Sequence, residues 1–116
     1  MAAQMGLTTF TVAIASGQSL SSQIDIGPGK LVGILIPAAW TAANMTFQVS
    51  PDGGTTWGNF FTYLGAEVTA VAVASQYLEV DPNIFAAVRS LKLRSGTSGT
   101  PVNQGSTVNI TLVTQL

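Results

Sequence analysis

Cysteine and histidine are both missing from this chain, and charge is scarce, with four Lys and Arg and five Asp and Glu in 116 residues. Without cysteine there is no disulfide, thiolate metal site, redox couple or cysteine nucleophile. Without histidine the commonest general base and the commonest zinc ligand are gone. Five scattered carboxylates leave little material for acid–base chemistry, so the composition predicts a protein that is not an enzyme and takes no cofactor or metal. The cations Lys30, Arg89, Lys92 and Arg94, with a net charge of −1, cannot build the basic footprint that nucleic acid or an anionic membrane requires. The longest apolar stretch, Leu31 to Trp40, is ten residues with Pro37 inside it, too short to span a bilayer. The N-terminal Met1-Ala2-Ala3-Gln4-Met5-Gly6-Leu7 lacks the basic start of a signal peptide.

What remains is apolar and hydroxylated. Hydrophobic residues make up 47% of the chain and charged ones 8%, against roughly 25% charged in an ordinary soluble domain. A folded monomer of this size exposes on the order of 6,000 Å², so its charges are spread at about one per 660 Å². Thr, Ser, Asn and Gln keep part of that surface wet. The rest is best accounted for by burial against other chains, and the composition predicts a subunit of an assembly.

Nearly every segment reads as strand. Leu7–Ala15 is rich in Thr and β-branched residues, and Leu20–Ile26 puts Ile24 and Ile26 on one face. Leu31–Ile36 is a continuous apolar run, as in a strand covered on both sides. Asn44–Ser50 alternates, with Met45, Phe47 and Val49 inward and Thr46, Gln48 and Ser50 outward. Trp57–Leu64, Glu67–Ala74, Gln76–Val80, Val88–Arg94 and Thr107–Leu116 continue the series, and Asp81 is placed to cap a helical turn over Ile84–Ala87. Ser95–Gly105 is a long loop. About eight short strands with turns every 8–12 residues predict one all-β domain over 1–116, a single antiparallel, jelly-roll-like β-sandwich. Residues 1–15 read as an edge strand or an N-terminal arm.

Four groups of residues are candidates for function. Ser50, Asp52, Gly54, Thr56 and Trp57 occupy the fixed positions of the S-x-D-x-G-x-T-W pattern called the Asp-box. In such a turn the carboxylate accepts backbone N–H groups, Gly supplies a positive φ and Trp packs beneath. Sialidase-like propellers repeat the motif in several blades, away from their catalytic centre. One copy in so short a chain predicts a hairpin-stabilising turn. Arg89, Lys92 and Arg94 place three of the four cations within six residues. They read either as a protein-docking or small-anion site or as charges that discourage unwanted pairing at a sheet edge. Among the aromatic residues, Trp57, Phe61 and Tyr63 share a face by period two and are expected in the core, with Phe60 opposite. Trp40, in an irregular segment, is either an exposed docking contact or a plug at one end of the sandwich. Glu67, Glu79 and Asp81 are read as a solvated face or as inter-subunit partners of the basic trio.

Ile36-Pro37-Ala38-Ala39-Trp40-Thr41-Ala42-Ala43 and Met45-Thr46-Phe47-Gln48-Val49-Ser50-Pro51-Asp52-Gly53-Gly54 resemble small virion proteins of tailed bacteriophages. Leu93-Arg94-Ser95-Gly96-Thr97-Ser98 and Pro101-Val102-Asn103-Gln104 add to the likeness, which runs from about Leu31 to Leu116. The resemblance implies a β-sandwich, often trimeric, that decorates or cements the capsid exterior, made in the host cytoplasm and bound to the major capsid protein. It carries over no catalytic residue. Contacts are then expected on Leu7–Ala15, Leu31–Trp40 and Ser95–Gly105. The alternative is a carbohydrate- or receptor-binding module of a head fibre or tail, with Trp40 and Trp57 as stacking residues.

Overall fold

In the computed structural model, which describes residues 6–116, the chain is all β. Its strands are β1 (Leu7–Ile14), β2 (Ile24–Asp25), β3 (Lys30–Leu35), β4 (Met45–Ser50), β5 (Gly58–Asn59), β6 (Tyr77–Glu79), β7 (Ser90–Ser95) and β8 (Val108–Gln115). They form two four-stranded antiparallel sheets, sheet A in the order β1-β8-β3-β6 and sheet B in the order β2-β7-β4-β5. The pairing is nested: β1 with β8, β2 with β7, β3 with β6, β4 with β5. One long hairpin, reversing between β4 and β5, is thus rolled into two layers. The arm reading of the N-terminus divides here: Leu7–Ile14 is the edge strand of sheet A, and residues 1–5 lie outside the described part.

Period-two alternation builds the core. Val12 and Ile14 on β1, Val108, Ile110 and Leu112 on β8, and Leu31 and Ile34 on β3 face Phe47 on β4 and Leu91 and Leu93 on β7. A bulge between Leu31 and Gly33 shifts the β3–β8 register, so Leu31 and Ile34 both turn inward although they are three apart. The turn over Ile84–Ala87 forms through i→i−3 hydrogen bonds, with the Asn83 N–H on Asp81 Oδ1 at 3.0 Å. It drives Phe85 into the core between Phe47 and Phe60, edge to face with both, at centroid distances of 5.1 and 5.3 Å.

Three expectations need correction. The ladder of Trp57–Leu64 stops at Asn59, and Thr62–Ala66 is a tight reversal closed by the Thr62 N–H on the Ala66 carbonyl. Period two holds but the face is inverted, because the β4–β5 register sets Phe60 opposite the inward Phe47. Phe60 packs on the core, while Phe61 and Tyr63 are 46% and 96% exposed. Glu67–Ala74 makes only isolated bridges, through Glu67 to Phe61 and Ala70 to Met45. Its inward residues are Val68 and Ala72, with Val71 and Val73 pointing out. Thr46 and Ser50 do lie on the face of β4 away from the core, yet both are buried by chain folded over that face.

The Ser95–Gly105 loop is held by backbone hydrogen bonds from Gly96 to Asn44 and from Val102 to Ser95. Gly96 has φ +89°, and a Cβ there would stand 2.5 Å from the Thr100 carbonyl oxygen and 2.7 Å from the Val102 nitrogen. Gly17 has φ +79° with open space around it. Gly17→Ala should therefore cost about 1 kcal/mol from backbone strain alone. Gly96→Ala should cost more than about 2 kcal/mol because rigid backbone is also in the way. Urea unfolding of the two variants checks the order.

Candidate functional site

The outer face of sheet B carries most of the chain's polar machinery. At its centre is the reversal between β4 and β5. Asp52 Oδ1 accepts the Thr56 N–H at 2.8 Å, the Thr55 N–H at 3.1 Å and the Ser50 hydroxyl at 2.8 Å. Ser50 Oγ in turn accepts the Gly54 N–H at 2.8 Å. Gly53 and Gly54 take positive φ, and the Trp57 indole N–H reaches the Gly54 carbonyl at 3.0 Å. All five fixed positions of the Asp-box thus lie in one turn. Trp57 does not pack into the sandwich core: it lies half-buried on the outer face, with Lys92 Nζ 4.6 Å from its ring centroid. Donors on one side of the Asp52 carboxylate, led by the Thr56 N–H and followed by the Ser50 and Thr56 hydroxyls, hold it at about 2.

Gln23 ties β2 to this turn, its amide donating to the Gly53 carbonyl and to Asp25 Oδ1, each at 3.0 Å. Asp25 also accepts the Ser90 hydroxyl at 2.7 Å. The Gln23 amide first, the Ser90 hydroxyl next and the Arg89 charge last lower its carboxyl below the usual range, against a desolvation that raises it.

The basic trio is dispersed, and Arg94 is no docking residue. It is 6% exposed, its Nη2 donating to Asn59 Oδ1 at 2.6 Å and its Nη1 to Thr46 Oγ1 at 3.3 Å and Glu67 Oε2 at 3.4 Å. A guanidinium so far from water needs such partners, and three elements supply them. Glu67 is therefore an intramolecular partner, and it also accepts the Ser98 N–H. Lys92 is engaged with Trp57, and Arg89 alone of the three is exposed, beside Gly27. Trp40 is likewise withdrawn from docking: it is 6% exposed, with its indole N–H on the Ala43 carbonyl at 3.0 Å. It closes one end of the sandwich because Pro37–Thr41 folds back over the core. Glu79 and Asp81 are exposed, and among the described residues no three His, Cys, Asp or Glu side chains form a group that could hold a metal ion.

The surface that sequence reasoning missed lies on the connection from β5 to β6 and just beyond it. Among the described residues, seven of the ten exposed large apolar side chains fall between Phe61 and Ile84, including Tyr63, Leu64, Val71 and Tyr77. Phe60, Phe61, Tyr63, Val68, Asn83 and Ile84 line a groove of about 340 Å³ there, without a charged group. Its sequence signal was the Thr62–Ala66 stretch itself, where Gly65 interrupts the alternation. The outer face of sheet A is similarly bare: its four strands contain only Lys30 and Glu79 as charges. Cross-strand rows such as Thr11, Thr111, Leu35 and Tyr77 run across it. No helix among the described residues is long and apolar enough to cross a membrane.

Two outcomes follow from the sheet B network. Asp52 has a lower pKa folded than unfolded, so its stabilisation is complete above about pH 4 and is lost as the pH falls toward 2. Denaturant unfolding between about pH 5 and pH 2 should show a shallower loss for Asp52→Asn than for the native chain. Glu67→Ala, which strands the Arg94 guanidinium, should cost about 3 kcal/mol, and the double change Glu67→Leu with Arg94→Met should recover most of it. Unfolding midpoints of the single and double variants measure this. Comparison with family models, curated proteins and solved structures returns no match to this chain.

Proposed function

We propose that the protein is a structural subunit of a tailed-phage virion, binding the outside of the capsid as a decoration or cement protein and stabilising the shell. The observation that carries this reading is the apolar groove lined by Phe60, Phe61, Tyr63, Val68 and Ile84, which has no charged group in its lining and Tyr63 96% exposed. An apolar groove with exposed aromatic walls, on a chain this poor in charge, fits a surface that is covered in use. The partner is the major capsid protein, alongside further copies of the chain. Many equivalent sites on a lattice retain a subunit by mass action and avidity, and binding only the assembled shell stabilises it. The nested strand order supports the jelly-roll reading, an arrangement that viral shell proteins use.

Lectins use it too. The second reading, a carbohydrate- or receptor-binding module of a fibre or tail, draws on the same groove, where Phe61 and Tyr63 could stack on a sugar beside Asn83. Trp40 is removed from that reading by its burial, whereas Trp57 is half-buried under Lys92 and lines an open groove with Val49, Pro51 and Ala87.

Co-sedimentation with phage capsids lacking the protein tests the first reading. The native chain should pellet at a fixed ratio to the capsid protein. Tyr63→Ser combined with Leu64→Ser should stay in the supernatant, its folding stability unchanged to within about 0.5 kcal/mol because both side chains are exposed. Failure of the native chain to pellet, together with saturable binding to a defined glycan, would replace the capsid reading by the second.

A further inference from the structure

The four sheet edges are unequal. β2, β5 and β6 are two, two and three residues long, too short to template another strand. β1 is eight residues long, Leu7-Thr8-Thr9-Phe10-Thr11-Val12-Ala13-Ile14, with no charge, Pro or Gly and no bulge in its register with β8. Soluble proteins protect long edges by one of those devices. This edge has none.

Its hydrogen-bonding groups can be assigned by parity. The Leu116 N–H bonds the Gly6 carbonyl, so Gly6 and Leu116 form a hydrogen-bonded pair. The unbroken register from Leu7↔Gln115 to Ile14↔Val108 then puts Thr8, Phe10, Val12 and Ile14 in the hydrogen-bonded pairs with β8. The N–H and C=O groups of Leu7, Thr9, Thr11 and Ala13 point to the open side, where β1 has no neighbouring strand among the described residues.

We propose that β1 pairs antiparallel with β1 of a second copy of this chain, about a two-fold axis at Phe10, joining the two A sheets into one. The strand is self-complementary in that register. Leu7 meets Ala13 of the second copy and Thr9 meets Thr11, and the two-fold repeats both. All four outward-facing residues then fall in hydrogen-bonded pairs, each exchanging two bonds. The Thr9–Thr11 pairs place hydroxyls side by side on the outer face, a favourable cross-strand pairing. Phe10, only half-buried at the sandwich margin, meets its own copy on the inner side. With no charge on the strand, nothing repels. A two-fold contact of this kind closes on itself, and so gives a dimer in place of the trimer that the resemblance implies. It leaves the groove between Phe61 and Ile84 uninvolved and does not depend on the capsid reading.

Light scattering over a wide concentration range should give a dimer of about 24 kDa, twice the chain mass of 12.0 kDa. Thr11→Pro removes an N–H that the monomer does not use, so the variant should fold yet associate roughly thirtyfold more weakly, from two lost bonds per dimer. Thr11→Lys, exposed in the monomer, should disrupt the pair without any backbone change. Thr111→Lys, in the same outer row but away from the edge, should leave the dimer intact. Amide exchange at Thr9, Thr11 and Ala13 should slow as concentration rises. A monomer at every concentration, a stable trimer, or a dimer that Thr111→Lys dissociates and Thr11→Lys does not, overturns the proposal.

Discussion

The reversal of the chain at Ser50–Trp57 is the constraint around which the fold is arranged. β4 and β5 meet across it, and β3 with β6, β2 with β7 and β1 with β8 are nested outside it in turn. A turn in that position sets the register of the innermost pair, and a one-residue slip there would send every inward side chain of β4 to the wrong face. The Asp52 carboxylate holds it by accepting N–H groups from Thr55 and Thr56, while Ser50 takes that of Gly54. Two successive positive-φ positions, Gly53 and Gly54, let those N–H groups converge. The motif is thus structural chemistry at the midpoint of the topology, and the Gln23 amide fastens β2 to it from a distant part of the chain.

Arg94 plays a second organising part on the same face. Its partners come from β4, β5 and the β5–β6 connection, and Glu67 passes the link on to Ser98 in the long loop. That connection makes only bridges to the sheet, through backbone bonds of Ala70 with Met45, Val68 with Phe60 and Ser75 and Gln76 with Ile36, and Glu67 adds its side-chain link to Arg94. The arrangement explains how a segment with little regular structure stays folded over sheet B while Tyr63 and Leu64 project from it. Loops fixed at their base and apolar at their tip are common binding surfaces because the ordering entropy is already spent.

The sequence made the strands legible where alternation was long and uninterrupted. β4 and β8 follow period two from end to end, and their inward residues Phe47, Val108, Ile110 and Leu112 could be named without a structure. The Asp-box was legible because its chemistry is local. Along Trp57–Tyr63 the alternation was legible and the face was not: the register with β4 sets Phe60 opposite the inward Phe47, which leaves Trp57, Phe61 and Tyr63 on the outer side. Glu67–Ala74 differs for another reason: it was read as a strand but makes only isolated bridges, with Val68 and Ala72 buried and Val71 and Val73 exposed. Of the two readings of Trp40 the burial favours the plug, and Arg94 was read as a surface residue because its covering groups come from remote chain. Asn59 and Glu67 lie far from Arg94 in sequence, and no local pattern announces such a meeting.

Scarce charge acquires a physical meaning from where the charges lie. Arg94 and Glu67 neutralise each other, Lys92 sits on Trp57, and Asp52 and Asp25 are engaged by their own turns and neighbours. Few are left to keep copies apart, and sheet A has only Lys30 and Glu79 along its strands. Sheet B is the internally satisfied face, its polar groups spent on one another. Sheet A offers hydroxyls, apolar side chains and an open row of backbone donors and acceptors on β1. A protein that must remain a free monomer places its charges the other way round, on the open edge and the bare face. Spending them on the turn and the buried pair stabilises the fold, while the surface is left with the composition of one that other chains cover.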